Sequence, residues 1–290
     1  MTERTPAPRR GPRGKRPRFF GLSLLIAAFP LLSSAAIGAA RPKYDVIVYG
    51  ADPEGIAAAV SAARNGQRVL LADPRPGPGG LFVFGMLNSL DLNRGLDGVP
   101  LTRGIFAEFL DGVGGRDSFD VAAAEAVFRR MLDAEPGLTQ AYGAALGGVQ
   151  TALGYITAVK LGGEWYAARS YIDASPDADL AARAGAPYSI GRTDLGETPS
   201  TMAATLILKF TGVDWAAVSA ALQGDGDPLT GATAHSAWGF GGIAAEYRPT
   251  RPDLHLRALN LGRQDDGSVL LNGLLLFGVD GLDEASRREA

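Results

Sequence analysis

The stretch that decides the fold is Tyr44–Gly80, which reads YDVIVYGADPEGIAAAVSAARNGQRVLLADPRPGPGG. An apolar, β-branched run ends at Gly50, and a helix rich in small residues is predicted to begin at about Gly55. A second apolar run then ends at the carboxylate of Asp73. This order of strand, glycine turn, helix, strand and acid is typical of a dinucleotide-binding βαβ unit.

Each part of this unit has a physical role at a dinucleotide. Gly50 lets the chain turn sharply off the strand, and the first helical turn directs unpaired N–H groups and the positive end of the helix dipole at a pyrophosphate. Gly55 lets the helix pack close to the sheet, and Asp73 can accept hydrogen bonds from a ribose diol. The middle glycine of the usual G-x-G-x-x-G pattern is Asp52 here, which adds bulk and a negative charge. The glycines alone therefore leave open an ordinary α/β domain without a nucleotide.

The whole string resembles the family of FAD-dependent oxidoreductases in which the first strand is followed by a Y-G-[AG]-x-P-x-G-I-A-A-A turn. Members of that family commonly carry a small polar residue where Asp52 stands. The resemblance extends through residues 79–81, Gly-Gly-Leu, which implies a second glycine pair whose backbone approaches the flavin diphosphate. It also includes Met86–Asn93, which by this resemblance passes beside the flavin ring and brings Asp91 and Asn93 close to it.

Two later segments are similar to the same family. Tyr171–Ala182 resembles its I-D-A-T-G-D-x-D-L-A-A segment, where the chain returns to the cofactor domain, although Pro176 replaces the usual glycine. Gly262–Gly267 resembles part of the second domain. In the family the chain then re-enters the cofactor domain, whereas this sequence ends at Ala290. The resemblance therefore implies a C-terminally truncated member in which the flavin half of the site is incomplete.

The resemblance implies FAD as the cofactor and FAD-dependent oxidoreduction as the activity. The βαβ unit itself serves FAD and NAD equally, so an NAD-binding Rossmann protein stays open, and Asp73 would then favour NAD over NADP. A truncated, non-catalytic fold that binds nucleotide or serves as an interaction module is a further alternative. The predicted cofactor-binding residues are Gly50, Ala51, Asp52, Pro53, Glu54, Gly55, Asp73, Pro74, Arg75, Gly79, Gly80 and Leu81.

Composition and charge restrict the chemistry further. The 290 residues include no cysteine, which excludes disulfides, thiolate catalysis, cysteinyl-flavin links and cysteine-ligated iron–sulfur clusters. The two histidines lack metal-ligand spacing, so no metal site is expected. The formal net charge is −3, but basic residues are concentrated in residues 1–40 and leave residues 41–290 acidic. An acidic body argues against nucleic-acid binding, which needs a clustered basic face.

The basic N-terminal segment has the layout of an export signal. Its positive residues precede an apolar stretch, Phe19–Leu32, and small residues at Ser33–Ala40 offer a cleavage site. Phe19–Ile37 carries no charge and could instead remain as a membrane anchor. We therefore predict that residues 1–40 are a signal peptide or membrane anchor and that the protein is exported to the periplasm or the extracellular space.

The remainder is predicted to be an α/β protein, with a Rossmann-like FAD-binding domain that contains a parallel sheet and a β-rich second domain. The predicted boundaries are 44–183 for the FAD-binding domain, 184–277 for the substrate-side domain and 278–290 for a truncated return segment. Residues 140–172 are predicted to form a hairpin appended to the first domain. The other predicted elements are helices at Ile105–Leu110, Val121–Leu132 (with Asp120 as N-cap) and Trp215–Leu222, and strands at Met202–Phe210 and Val269–Phe277.

The flavin performs hydride or electron transfer in such enzymes, so no protein nucleophile is required. Candidates for a substrate-side acid or base are His235, His255, Tyr188, Arg263 and Asp91. His255 is expected on the surface of a strand. Arg263 could clamp a substrate carboxylate, but a salt bridge with Asp265 or Asp266 is the favoured interpretation. The predicted partner is a small organic molecule; the sequence determines neither its identity nor the oligomeric state.

Overall fold

The structure is a computed structural model that describes residues 43–197, 201–281 and 283–289. The predicted signal or anchor segment, residues 1–40, lies outside the described residues. Within the ranges that are described, no helix combines the length and the apolar character needed to span a bilayer.

The regular elements alternate strands and helices in the first half and are mainly strands in the second. The strands, in chain order, are β1 (Val46–Tyr49), β2 (Val69–Asp73), β3 (Leu138–Tyr142), β4 (Leu146–Ala152), β5 (Tyr155–Leu161), β6 (Glu164–Tyr166), β7 (Ser170–Asp173), β8 (Ala204–Phe210), β9 (Gly231–Ala232), β10 (Ser236–Gly239), β11 (Leu254–Arg263) and β12 (Val269–Leu276). The helices are α1 (Pro53–Arg64), α2 (Gly80–Val83), α3 (Ile105–Gly112), α4 (Val121–Asp133), α5 (Asp179–Arg183), α6 (Trp215–Gln223), α7 (Gly241–Glu246) and α8 (Glu284–Glu289).

A parallel sheet with the strand order β3-β2-β1-β7 forms the first half of the fold. Val46 of β1 pairs with Val69 of β2 on one side and with Ser170 of β7 on the other. All five residues of β2 are buried, as expected for a strand covered on both faces. Helices α1, α3 and α4 cover one face, where the rings of Phe109 and Phe128 stack with centroids 4.4 Å apart. This arrangement confirms the predicted α/β fold with a parallel sheet.

The predicted hairpin at residues 140–172 is wrong in its extent. Residues from Leu138 to Tyr142 pair with β2 as the parallel edge strand β3, and β7 pairs with β1 in the same sheet. Within residues 140–172, β4, β5 and β6 alone form a separate antiparallel sheet, which packs on the second face of the parallel sheet. The error has a physical cause: a short apolar run indicates a strand, but its partner is chosen by contacts that are distant in the chain.

The second half contains a five-stranded antiparallel sheet with the order β8-β12-β11-β10-β9. It confirms the predicted strands, which are β8 and β12, and the predicted helix, which is α6. Helix α6 packs on the sheet through Leu222, against Ala237 and Leu261. The predicted β-rich second part of the fold is therefore confirmed.

Polar contacts tie the second sheet to the first half of the chain. The side chain of Gln264, after β11, is buried; its Nε2 donates to the carbonyl of Phe119 (3.1 Å) and its Oε1 accepts from the N–H of Val121 (2.9 Å). Asp120 caps α4 by accepting from the N–H of Ala123 (2.8 Å), as predicted, and its other carboxylate oxygen accepts from the N–H of Asp265 (3.1 Å). The N-terminus of α4 is thus a docking point for the β11–β12 turn.

Candidate functional site

The turn after β1 brings the N-terminus of α1 against the carboxyl end of β7. Gly50 has a φ of +107°, and a Cβ atom there would overlap the carbonyl oxygen of Ala174. A Cβ atom at Gly55 would overlap the carbonyl oxygen of Gly50. Both positions therefore require glycine, because backbone atoms occupy the space of a side chain.

The first turn of α1 presents free hydrogen-bond donors. Pro53 stands at the start of the helix, and the N–H of Ile56 donates to the carbonyl of Asp52 (2.9 Å). In the part of the chain that the structure describes, the N–H groups of Glu54 and Gly55 have no acceptor. Together with the positive end of the dipole of this 12-residue helix, they are groups of the kind that bind an anion.

Asp73, at the end of β2, is completely buried, and its carboxylate is saturated by hydrogen bonds. Oδ2 accepts from the N–H of Ala51 (2.6 Å) and from Nη2 of Arg75 (2.7 Å). Oδ1 accepts from the N–H (2.7 Å) and the Nε–H (2.9 Å) of Arg75. The predicted ribose-binding carboxylate therefore faces Arg75 and the glycine turn in this structure, and its ribose role stays a prediction.

Arg75 joins Asp73 to Asp52. Its Nη2 contacts Oδ2 of Asp52, and its Nη1 lies 3.3 Å from Oδ1 of the same carboxylate. Hydrogen bonds to Asp73, and then to Asp52, raise the pKa of the Arg75 guanidinium above its usual range, so the group keeps its charge. We call this group of three side chains, Asp52, Arg75 and Asp73, the carboxylate bridge.

Asp52 also brings the second glycine pair to the site. Its Oδ1 accepts from the N–H of Leu81 (2.8 Å), and a Cβ atom at Gly80 would overlap the same oxygen. Gly79 has a φ of +107° and donates its N–H to the carbonyl of Ala51 (2.8 Å). The two glycine segments that are far apart in the sequence thus meet at Asp52.

A cavity of about 520 Å³ opens beside these groups. We call it the turn cavity; its lining residues are Asp52, Pro53, Glu54, Arg75, Gly80, Leu81, Phe82, Phe84, Gly85 and Pro176. Its lining combines residues at the start of α1 with Gly80 of the second glycine pair. Pro176, the departure from the family segment, forms part of its wall.

A second cavity, of about 500 Å³, lies between the segment after α2 and the antiparallel sheet. We call it the sheet cavity; its lining residues are Ser89, Leu90, Asp91, Leu92, Asn93, Arg94, Asp117, Ser236, Ala237, Trp238 and Asn260. Oγ of Ser236 donates to Oδ2 of Asp117 (2.9 Å). The segment enters this region through Met86, whose φ of +53° is unusual for a residue with a side chain.

The sequence-predicted candidates divide between this cavity and other places. Asp91 lines the sheet cavity, while His235 lies in the turn before β10, outside both cavity linings, and Tyr188 is exposed. His255 is exposed on β11, as predicted, and packs edge-on against Phe277. In contrast, Asp117, Ser236 and Asn260 were not predicted, because no local pattern distinguishes them from ordinary polar residues.

The predicted salt bridge of Arg263 is wrong. Asp265 pairs with Arg116 (3.0 Å) and Asp266 pairs with Lys209 (2.9 Å). Both cations come from elements that are distant in the chain but packed against the β11–β12 turn. Arg263 itself is exposed, and its N–H donates to the carbonyl of His235 (2.8 Å). Among the described residues, no cluster of histidine and acidic side chains has the arrangement of a metal site.

The parallel sheet and the glycine turn define a Rossmann-type dinucleotide-binding protein. Residues 45–290 match the family described as FAD dependent oxidoreductase, and the chain belongs to that family. The cofactor of the family is FAD, which confirms the resemblance and the cofactor predicted from the sequence. None of the curated proteins matches the chain significantly.

Three solved structures that are similar to this chain are distant from it in sequence. A geranylgeranyl bacteriochlorophyll reductase-like protein from Thermoplasma acidophilum is 17% identical, with a TM-score of 0.44 over 80% of this chain and 56% of that one. Thioredoxin reductase from T. acidophilum is 20% identical (TM-score 0.31; 45% of this chain and 34% of that one). The GidA-related protein from Thermus thermophilus is 18% identical (TM-score 0.34; 46% and 52%). The chain thus spans between about a third and just over half of the length of these proteins.

The residues around the turn cavity fit the diphosphate of FAD. The free N–H groups of Glu54 and Gly55 and the charge of Arg75 are the donor types that bind phosphate oxygens. Gly80 lines the cavity, and a Cβ atom there would overlap Oδ1 of Asp52. The ribose contact is different, since Asp73 has no free lone pair while Arg75 holds it.

Proposed function

We propose that the protein is an FAD-dependent oxidoreductase that transfers hydride or electrons between the flavin and a small polar organic substrate bound in the sheet cavity. The observation that carries this proposal is the position of Ser89–Arg94. Its residues 89–93, which by resemblance pass the flavin ring, form one wall of the sheet cavity together with Arg94, and β10 and β11 form the other. A substrate in this cavity would therefore lie between the cofactor segment and the second sheet.

When bound, FAD supplies the hydride or electron acceptor. The chain's own residues would bind and orient the substrate: the amides of Asn93 and Asn260 can donate and accept hydrogen bonds, and Trp238, which is 40% exposed, offers an apolar ring face. Two acids and one arginine in the lining favour a neutral or cationic polar molecule over an anion.

Asp91 is the residue that we propose as the proton acceptor. Asp117 is held by Ser236, whereas the carboxylate of Asp91 has no hydrogen-bond partner within the described ranges. Its oxygens are therefore available to a hydroxyl or amine proton of the substrate, which must leave when hydride is removed from the adjacent carbon.

The test begins with the visible spectrum of the full-length protein. A flavin band at near-stoichiometric occupancy is expected, and mixing under anaerobic conditions with a panel of alcohols and amines should bleach that band for a true substrate. Asp91→Asn should slow bleaching by about 10²–10⁴-fold while leaving the flavin content unchanged. Asp111→Asn, on the exposed side of α3, makes the same charge change outside both cavities and is the control. Absence of bound flavin, even after incubation with FAD, would refute the proposal.

We also propose that the protein is exported, on the basis of the basic and apolar pattern of residues 1–40. Fractionation of expressing cells, followed by N-terminal sequencing of the mature protein, tests this. A mature N-terminus near Ala40 supports a cleaved signal, an intact N-terminus in the membrane fraction supports an anchor, and intact protein in the cytoplasm contradicts export.

A further inference from the structure

Asp52 creates an electrostatic problem at the turn cavity. Its side chain is only 5% exposed, it lines the cavity, and its Oδ1 occupies the N–H of Leu81 beside Gly80. A carboxylate at this place lies where a diphosphate would approach the second glycine pair. Because solvent screens such a buried site poorly, repulsion between the two anions would be strong.

Arg75 is placed to remove this repulsion. Its guanidinium contacts both oxygens of Asp52 and both oxygens of Asp73, and it lies on the wall of the same cavity. The two carboxylates of the bridge carry a charge of −2 together, and the arginine reduces the net charge of the bridge to −1. An arginine fork is suited to this task because its five donors can serve two carboxylates and still face a phosphate oxygen.

We infer that Arg75 is the residue that makes an aspartate at the middle position of the glycine fingerprint compatible with a dinucleotide diphosphate. In the usual pattern a glycine lets the diphosphate approach the backbone at this position. Here the guanidinium of Arg75 neutralises the carboxylate of Asp52 and adds a hydrogen-bond donor toward the phosphates, so the diphosphate can approach as well. Arg75 is thus a positioning and affinity residue and takes no part in the redox step. The inference rests on the proposed binding of FAD at the turn cavity.

The inference predicts energetic coupling between the two positions. Arg75 should matter greatly while Asp52 is present and much less once the carboxylate is gone. It also predicts that the effect depends on the phosphates, so ADP should respond and adenosine, which has the same base and ribose but no phosphate, should not.

A double-mutant cycle on the full-length protein, with binding measured by calorimetry, tests both expectations. Arg75→Gln should weaken FAD and ADP by at least about tenfold, and adenosine by less than about twofold. In the Asp52→Ser background the loss caused by Arg75→Gln should fall to about threefold or less. Arg68→Gln is the control: it removes the same charge from an exposed arginine paired with Asp45 at the opposite end of β1 and β2.

Arg75→Gln also removes the charged partner of the buried Asp73, which can destabilise the fold. Thermal unfolding of each variant is therefore recorded alongside binding. Should this variant fail to fold, Arg75→Lys is measured instead: it keeps the charge that neutralises Asp52 but loses the fork, so ADP affinity should stay within about fivefold of wild type, and a larger loss would overturn the inference. The inference would be overturned by equal losses of affinity in both Asp52 backgrounds or by equal losses for ADP and adenosine. It would also be overturned if the wild-type protein bound neither FAD nor ADP. Bound flavin that no substrate reduces would contradict the proposed oxidoreductase activity and leave this inference standing.

Discussion

Replacement of Asp73 by alanine tests the carboxylate bridge as a source of stability. The change removes a fully buried carboxylate and the four hydrogen bonds of 2.6–2.9 Å that it accepts from Ala51 and Arg75. It leaves the N–H of Ala51 buried without an acceptor, and Arg75 keeps only Asp52. Breaking a buried ion pair costs about 3–5 kcal/mol, which corresponds to a decrease in Tm of roughly 6–20 °C for a domain of this size.

Urea unfolding at neutral pH, followed by tryptophan fluorescence and far-UV circular dichroism, measures this cost. The matched control is Glu125→Ala, which breaks a surface pair with Arg129 on α4 and should cost about 0.3–0.5 kcal/mol. Asp73→Asn keeps the shape of the side chain but loses its charge, and its cost should lie between the two. A loss for Asp73→Ala no larger than that of the control would refute the reasoning, because the carboxylate would then not be held in a buried bridge.

Three other perturbations follow from the structure. Gly55→Ala should lower the free energy of unfolding by about 1–3 kcal/mol, since its Cβ atom would overlap the carbonyl of Gly50, whereas Gly242→Ala meets open space and should not destabilise; equal melting temperatures would contradict this. Hydrogen bonds from Arg68 lower the pKa of Asp45 in the folded protein. This carboxylate therefore stabilises the fold fully at a pH above its unfolded pKa of about 4, and its contribution decreases as the pH falls below that value. The stability gap between wild type and Asp45→Asn should therefore be full at pH 6 and shrink below pH ~4, as chemical unfolding at each pH would show; a pH-independent gap would count against the pairing. Gln264→Leu should lower the free energy of unfolding by about 1–3 kcal/mol and speed hydrogen exchange at the start of α4, because the side-chain amide of Gln264 forms hydrogen bonds with Phe119 and Val121 there. Unchanged exchange would argue that this contact does not hold the second sheet against α4.

Local sequence determined the elements that depend on short-range physics. The βαβ unit follows from apolar runs and glycines that are adjacent in the chain, and the start of α4 follows from Asp120, which caps it three residues away at Ala123. The same holds for β8, β12 and α6, because the apolar residues that predict each element lie within that segment. The resemblance of this stretch to a known family predicted FAD as the cofactor, because the matching residues are more specific than a general glycine turn.

Tertiary structure alone decided which distant groups meet. Residues 138–142 could have paired with the strands that follow them in the chain. In the structure they instead pair with β2 as an edge strand of the parallel sheet. Asp265 lies close to Arg263 in the chain, yet it pairs with Arg116, because folding packs the β11–β12 turn against the segment before α4. The sheet cavity likewise combines Asp91 with residues from β10 and β11.

The glycine turn shows the same division within one site. Its sequence determined the strand, the turn and the start of the helix, since these depend on backbone freedom at Gly50 and Gly55. It did not determine that the carboxylates of Asp52 and Asp73 share Arg75, because this contact needs two strand ends and a loop to be held together. Backbone conformation is a local property, whereas the pairing of buried charges depends on the complete fold.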